Sequence, residues 1–235
     1  DVDEVLKTTS SDEEYLGLFL NDLVMKNNQN PRAVNSKIYY YLSICLVGRK
    51  TMLLTSIALK EDALDKKIEI DGASVLKDNV LRDKMVLQDN LIYNLMTKSV
   101  KKGTLDVANP QSKDSYITLE VKSSNVKDTL VKENDKFILT KDVYIEASVS
   151  DIQGTLIYDN ETVDYIKFNK EAYINGYGEY LYNSYKEKGL DIFNIDRMLE
   201  IYYPDESVED SLNKTEFKVN TKLKIIGGGT VKNSL

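Results

Sequence analysis

Three carboxylates, Asp191, Asp196 and Glu200, come nearest to an acid–base group, with Asp196 and Glu200 one helical turn apart on a shared face. Paired carboxylates do general acid–base work only when their surroundings push their pKa values apart. No neighbouring segment supplies the apolar pocket or partner that would do so, and the three read as helix caps or a solvated face. Histidine is absent from the whole chain. That removes the Ser-His-Asp and Cys-His routes to nucleophilic catalysis and the commonest zinc ligand. Enzymes can work with carboxylates or lysine alone, so a carboxylate-based hydrolase stays open as a minor reading, but we expect no catalytic, cofactor-binding or metal-binding residues, no cofactor, and no enzyme.

Nine of the sixteen tyrosines lie in one stretch: Tyr158, Tyr165, Tyr173, Tyr177, Tyr180, Tyr182, Tyr185, Tyr202 and Tyr203. Such a group could stack sugars or nucleobases. Tyrosines spread around a helix more often pack at its margins with the hydroxyl in water, and that is the expected role. Lys218, Lys222 and Lys224 form a basic stripe that could meet anionic headgroups or an acidic partner. The plainer reading is a solvated strand face that resists edge pairing. Gly227-Gly228-Gly229 is followed by no Gly-Lys-Ser/Thr and leaves no room for a helix before Leu235, so a flexible strand exit is expected there, not a phosphate loop.

The single cysteine, Cys45, excludes an intrachain disulfide. Leu42-Ser43-Ile44-Cys45 has a superficial likeness to a lipobox, but the preceding NSKIYYY is no signal-peptide core. Cys45 is expected as a buried thiol on a helix face.

With 235 residues, the chain suggests two domains. Hydrophobic residues at 42% and charged residues at 29% are those of a folded globular protein. A net charge of -7 argues against nucleic acid, which needs a clustered basic surface. No apolar run approaches the roughly 20 residues of a bilayer span, and DVDEVLK at the start lacks the basic and apolar regions of a targeting segment.

The elements that position these residues follow from periodicity. Ser11 with Glu14 makes a capping box ahead of Leu16, Phe19, Leu20 and Leu23, and Asn35 can cap a second helix with Ile38, Tyr41, Leu42 and Cys45 on one face. Thr51 to Leu59 reads as a buried strand, and Lys67 to Leu76 as a strand whose phase slips at Gly72, as at a bulge. Asp78-Asn79 supplies a tight hairpin into Val80 to Val86, and a helix from about Asp89 turns Leu91, Leu95 and Met96 inward.

Periodicity lapses at Asn109-Pro110-Gln111-Ser112, where we expect the domain boundary. Two-faced strands follow through Ile117, Leu119 and Val121 and through Val143, Ile145, Ala147 and Val149, with a turn at Glu133-Asn134-Asp135. Val163 to Lys188 is one helical pattern, expected to bend or weaken at Gly176 and Gly178. Gly189 ends it, and Asp191 or Asn194 caps the next helix, which Pro204 stops. Phe217 to Ile225 alternates as a half-buried strand. The expected fold class is α+β: two mixed α/β domains, residues 1–110 and 111–235, each an antiparallel or mixed sheet packed by helices.

The string KEKGLDIFNIDRMLEIYYP, the strand and hairpin from Ile68 to Asn79, and the strand from Val143 to Gly154 occur in the order found in one family. In these features the chain resembles the Ger(x)C family, the lipoprotein C subunits of bacterial spore germinant receptors, over most of its length. The resemblance implies the middle and last of three domains of a non-catalytic subunit. It further implies a signal peptide and lipid anchor outside this chain, a place on the outer face of the spore inner membrane, and integral membrane A and B subunits as partners. A different class of function, read from the tyrosines alone, is an extracellular carbohydrate- or peptidoglycan-associated binding domain.

Overall fold

The computed structural model describes residues 5, 15–21, 23, 31–34, 38–46, 51–61, 66–97 and 100–228. Two compact units divide between Asn94 and Leu95, ahead of the position expected from Pro110. The Pro110 segment is a well-tied loop within the second unit. Asn109 donates from Nδ2 to the carbonyls of Gln153 and Thr155 at 2.8 and 3.2 Å, and the Gln111 side chain accepts from Ile157 N–H at 2.7 Å. Side-chain amides there do the work that a regular ladder does elsewhere, which is why the periodicity lapses without a linker.

In the first unit, β1 (Thr51–Glu61), β2 (Lys66–Lys77) and β3 (Val80–Met85) form an antiparallel sheet in sequence order. Asp78 and Asn79, at φ 54° and 62°, make the expected two-residue turn, whose left-handed conformations suit these short polar side chains. The phase slip at Gly72 is a bulge. Ala73 pairs with Thr55 and Ile70 with Ile57, so two residues of β2 oppose the single Ser56 of β1.

Helices α1 (Leu16–Asn21), α2 (Ile38–Leu46) and α3 (Leu87–Thr97) complete the described elements on this side, the division falling within α3. Leu91, Ile92, Leu95 and Met96 of α3 are buried. Buried Asn90 and Asn94 donate to the carbonyls of Arg32, Pro31 and Ala33, fixing segment 31–34. The Ser11–Glu14 cap lies outside the described residues. Cys45 is exposed, contrary to expectation: α2 buries Ile44, so the inward face is displaced by one residue from the stripe of Leu42 and Cys45.

The second unit is built on a four-stranded sheet, β4 (Thr104–Ala108), β5 (Tyr116–Glu133), β6 (Lys136–Ile152) and β7 (Thr215–Gly228), in that order. β4, β5 and β6 are antiparallel neighbours, and β7 lies parallel to β6. The crossover carries α4 (Asn160–Glu187), α5 (Ile195–Tyr202) and the short α6 (Ser211–Lys214). Such a mixed sheet follows from the sequence pattern, because a hairpin turn joins β5 to β6 while a long helical crossover precedes β7.

α4 also closes the outer edge of β7. The backbone N–H groups of Val219, Thr221 and Leu223 donate to Glu179 Oε1, Asn175 Oδ1 and Glu171 Oε1 at 3.3, 2.8 and 2.7 Å. The match is one of pitch: four helical residues rise about 6 Å and two strand residues about 6.6 Å, so every second strand amide meets every fourth helix side chain.

Helix α4 is continuous through its two glycines. A Cβ at Gly178 would sit 2.6 Å from Met96 Sδ and 3.0 Å from Val219 Cγ2, so this glycine permits a close approach. At Gly176 nothing lies within 4 Å. Gly176→Ala is therefore expected to stabilise the chain by about 0.5–1 kcal/mol through helix propensity. Gly178→Val is expected to destabilise it by roughly 2 kcal/mol through overpacking. Urea midpoints moving the same way for both would contradict this assignment.

Candidate functional site

Alternation turns Phe137, Leu139, Lys141, Val143, Ile145 and Ala147 of β6 to the inner face of the sheet, so one lysine stands in an apolar column. The Lys141 side chain is 3% exposed, and its Nζ lies 2.7 Å from Asp128 Oδ2 on the paired strand β5. The ammonium is also 5.6 Å from the Phe193 ring centroid. Burial pulls the Lys141 ammonium below the ordinary lysine range, and the carboxylates of Asp128 and Asp191 oppose that pull. Sequence reasoning missed this residue. Its signal was a single charge at an inward position of an otherwise apolar strand.

Asp191 faces the same cluster and closes the end of α5. The N–H groups of Ile195 and Asp196 donate to its Oδ1 and Oδ2 at 2.9 and 3.1 Å, so Asp191 does the capping, while Asn194, left-handed at φ 56°, makes no side-chain cap. The expectation that no apolar pocket surrounds these acids fails at Asp191. Burial pushes its carboxyl up to about 6, against the backbone donors that favour the charged form. Asp196 accepts from the buried Ser211 hydroxyl, tying α5 to α6, and Glu200 is exposed. The three carboxylates thus serve three separate places and do not converge.

A carboxyl whose folded pKa lies above its unfolded value binds its proton more tightly in the folded chain, so its contribution to stability falls as pH rises. For Asp191 the window runs from 3.8 to about 6. About two pKa units correspond to roughly 3 kcal/mol. Asp191→Asn, which keeps one acceptor for the helix end, is expected to gain about that much relative to the parent between pH 4 and pH 7. Parallel stability-against-pH curves for the two proteins would rule the assignment out.

The tyrosines do not form one platform. Tyr182 and Tyr185 are 2% and 3% exposed. The Tyr182 hydroxyl lies 3.1 and 3.0 Å from the carbonyls of Leu212 and Thr215, and its ring stacks on Phe217 at 4.6 Å. Tyr203 accepts from Lys132 N–H and donates to the Leu130 carbonyl. Tyr158, Tyr165, Tyr173, Tyr180 and Tyr202 are exposed, with Tyr177 between Tyr173 and Tyr180 at ring distances of 5.6 and 5.8 Å.

Lys218, Lys222 and Lys224 all lie on the outer face of β7, interleaved with acids. Lys224 pairs with Glu146 at 2.9 Å, and its hydrogen bond holds the Glu146 carboxyl below the usual range. Beside them a shallow groove of about 380 Å³ is lined by Ser123, Asn125, Tyr144, Glu146 and Lys222. Gly227, at φ 67°, and Gly228 belong to β7, and Gly228 pairs with Val149 across a register shift, so the strand extends further than expected. Gly229 lies outside the described residues. The site holds one buried ammonium against Asp128, with the Asp191 carboxylate adding to the field around it, while Asp191 itself closes a helix end. Among the described residues no cluster of potential ligands is set to hold a metal ion.

Comparison with known proteins gives one family. The model described as spore germination B3/GerAC like, C-terminal, matches residues 71–229. Spore germination protein GerQC of Bacillus cereus is 22% identical over 158 residues, covering 67% of this chain and 43% of that protein. The crystal structure of the GerBC protein shares the fold, with a TM-score of 0.67 at 18% identity over 83% of this chain and 64% of that one. The chain spans less than two thirds of the length of either relative. The α+β architecture is common to both folds, and with most of its length matched by the family model, the chain belongs to the spore germination B3/GerAC-like C-terminal family.

Proposed function

We propose that this chain is the middle and last domains of the C subunit of a nutrient germinant receptor. In this reading it is a non-catalytic subunit that acts in germination through protein–protein contacts at the spore inner membrane, beside integral membrane A and B subunits. The observation that carries the proposal is the family match across residues 71–229. The disposition of the acids supports it, because Asp191 and Asp196 are committed to helix ends and Asp128 to a buried lysine. Among the described residues no helix is long and apolar enough to cross a membrane. Membrane attachment in this reading comes from a lipid anchor outside the chain.

The test is co-purification. Tagged full-length protein is used to capture the cognate A and B subunits from detergent-solubilised spore inner membrane. Retention of both subunits by the full-length protein, and their loss when the tagged subunit is omitted, is the expected result. Failure to retain either one would overturn the proposal.

A further inference from the structure

The two edges of the four-stranded sheet are treated differently. Side chains of α4 close β7, as described above, but β4 covers only Tyr116–Glu120 of the far longer β5. Beyond β4, the N–H and C=O groups of alternate residues face the open side of β5: Ser124, Val126, Asp128, Leu130 and Lys132. Each end of that series is plugged. Ser124 N–H donates to the Val100 carbonyl at 2.8 Å, and Val126 N–H is met by Asn125 Oδ1 at 3.0 Å. At the far end, the Tyr203 hydroxyl serves both Leu130 C=O and Lys132 N–H.

Between the plugs, Val126 C=O, both groups of Asp128 and Leu130 N–H have no partner among the described residues. Lys127, Asp128 and Thr129 are exposed, so the gap opens to solvent. Its length suits one short strand. An antiparallel residue opposite Asp128 would exchange two hydrogen bonds with it, and the residues two before and two after would reach Leu130 N–H and Val126 C=O. Half-buried Val126 and Leu130 lie on one face of this stretch, on either side of Asp128. The Lys132–Glu206 ion pair ties the turn at Asp205–Glu206 to the far end of this stretch.

We propose that the open edge of β5, Val126 to Leu130, receives an extended segment of a partner protein by β-strand addition. That segment has apolar side chains at alternate positions, which pack beside Val126 and Leu130. The proposal deepens the receptor-subunit reading by naming a surface, and its test needs no membrane subunit, so its failure leaves the co-purification experiment untouched.

The probe is the synthetic peptide Thr-Val-Thr-Val-Thr-Val, measured by fluorescence anisotropy against the full chain. Its valine amides face the edge and its threonine amides face away. N-methylation of the valines is expected to weaken binding more than about tenfold, while N-methylation of the threonines leaves it within about twofold. Leu130→Pro removes only an outward N–H and is expected to abolish binding. Amide exchange supplies an arm that does not depend on that variant folding. Asp128 and Leu130 amides exchange fast in the free chain and slow with peptide, while their neighbours stay protected.

Absence of binding at millimolar peptide, equal loss from both methylated peptides, or protection of Asp128 and Leu130 in the free chain would each overturn the proposal. So would a dimer of this chain that Leu130→Pro returns to monomer, because the occupant would then be a second copy.

Discussion

Gly72→Ala is expected to lower the stability of the first unit by about 4 kcal/mol, the sum of a strained backbone and a collision that cannot relax. Gly72 sits at φ 84°, where an L side chain is crowded against its own carbonyl. A Cβ there would lie 2.0 Å from Met85 O, a backbone atom at the end of β3, so no rotamer change relieves the contact. The conformation is imposed by the bulge that sets two residues of β2 against Ser56, and that bulge keeps both Ile70 and Ala73 inward on either side of it. The measurement is urea unfolding followed by circular dichroism, with Gly176→Ala as the control whose added methyl meets open space. A loss below about 1 kcal/mol for Gly72→Ala would show that the bulge can unwind and does not hold the glycine left-handed.

What the sequence reveals of this fold is what neighbouring residues decide among themselves. Asp78-Asn79 is a turn because both residues tolerate positive φ, and β7 alternates because Phe217, Val219 and Leu223 need cover while the lysines between them need water. Each of these is settled within ten residues. The candidate site is settled across the chain: Lys141 is held by Asp128 on a paired strand and feels the charge of Asp191 beyond a whole crossover helix. Its inward parity was legible, but neither partner could be.

Similar reasons explain the other departures. Asp191 and Asn194 are both suitable caps by residue type, and only the left-handed turn at Asn194, which leaves its own side chain without a capping bond, decides for Asp191. Gly178 reads as a weak point in a helix until Met96 and Val219 are found against it. At Pro110 a lapse in periodicity stands equally for a linker or for a loop fastened by amide side chains, and the partners at Gln153 to Ile157 lie more than forty residues away.

Asp128→Ala is expected to destabilise the second unit by about 3 kcal/mol, near the lower end for breaking a buried ion pair, because Asp191 still faces the stranded ammonium. Lys141→Met is expected to do less harm, within about 1 kcal/mol, and the double variant Asp128→Ala/Lys141→Met is expected to recover most of the loss. The asymmetry follows from exposure. The Asp128 side chain, 36% exposed, can be rehydrated when its partner goes, whereas the Lys141 side chain, 3% exposed, cannot. A methionine in that column also meets Phe193 and the apolar neighbours Leu139 and Val143 without a desolvation penalty.

The pH dependence supplies an independent sign. Removing Asp128 takes away an interaction that raises the Lys141 pKa, so the folded value drops further below the unfolded one. A lysine with a depressed folded pKa destabilises the fold while charged, and that cost is relieved progressively as pH rises from the folded value to the ordinary one of 10.5. Asp128→Ala should therefore regain stability relative to the parent as pH is raised from 7 toward 10, and Lys141→Met should show no such recovery. Additive single losses in the double variant, together with parallel pH curves, would mean that the two charges do not depend on each other and that the inner face of β6 is held by its apolar residues alone.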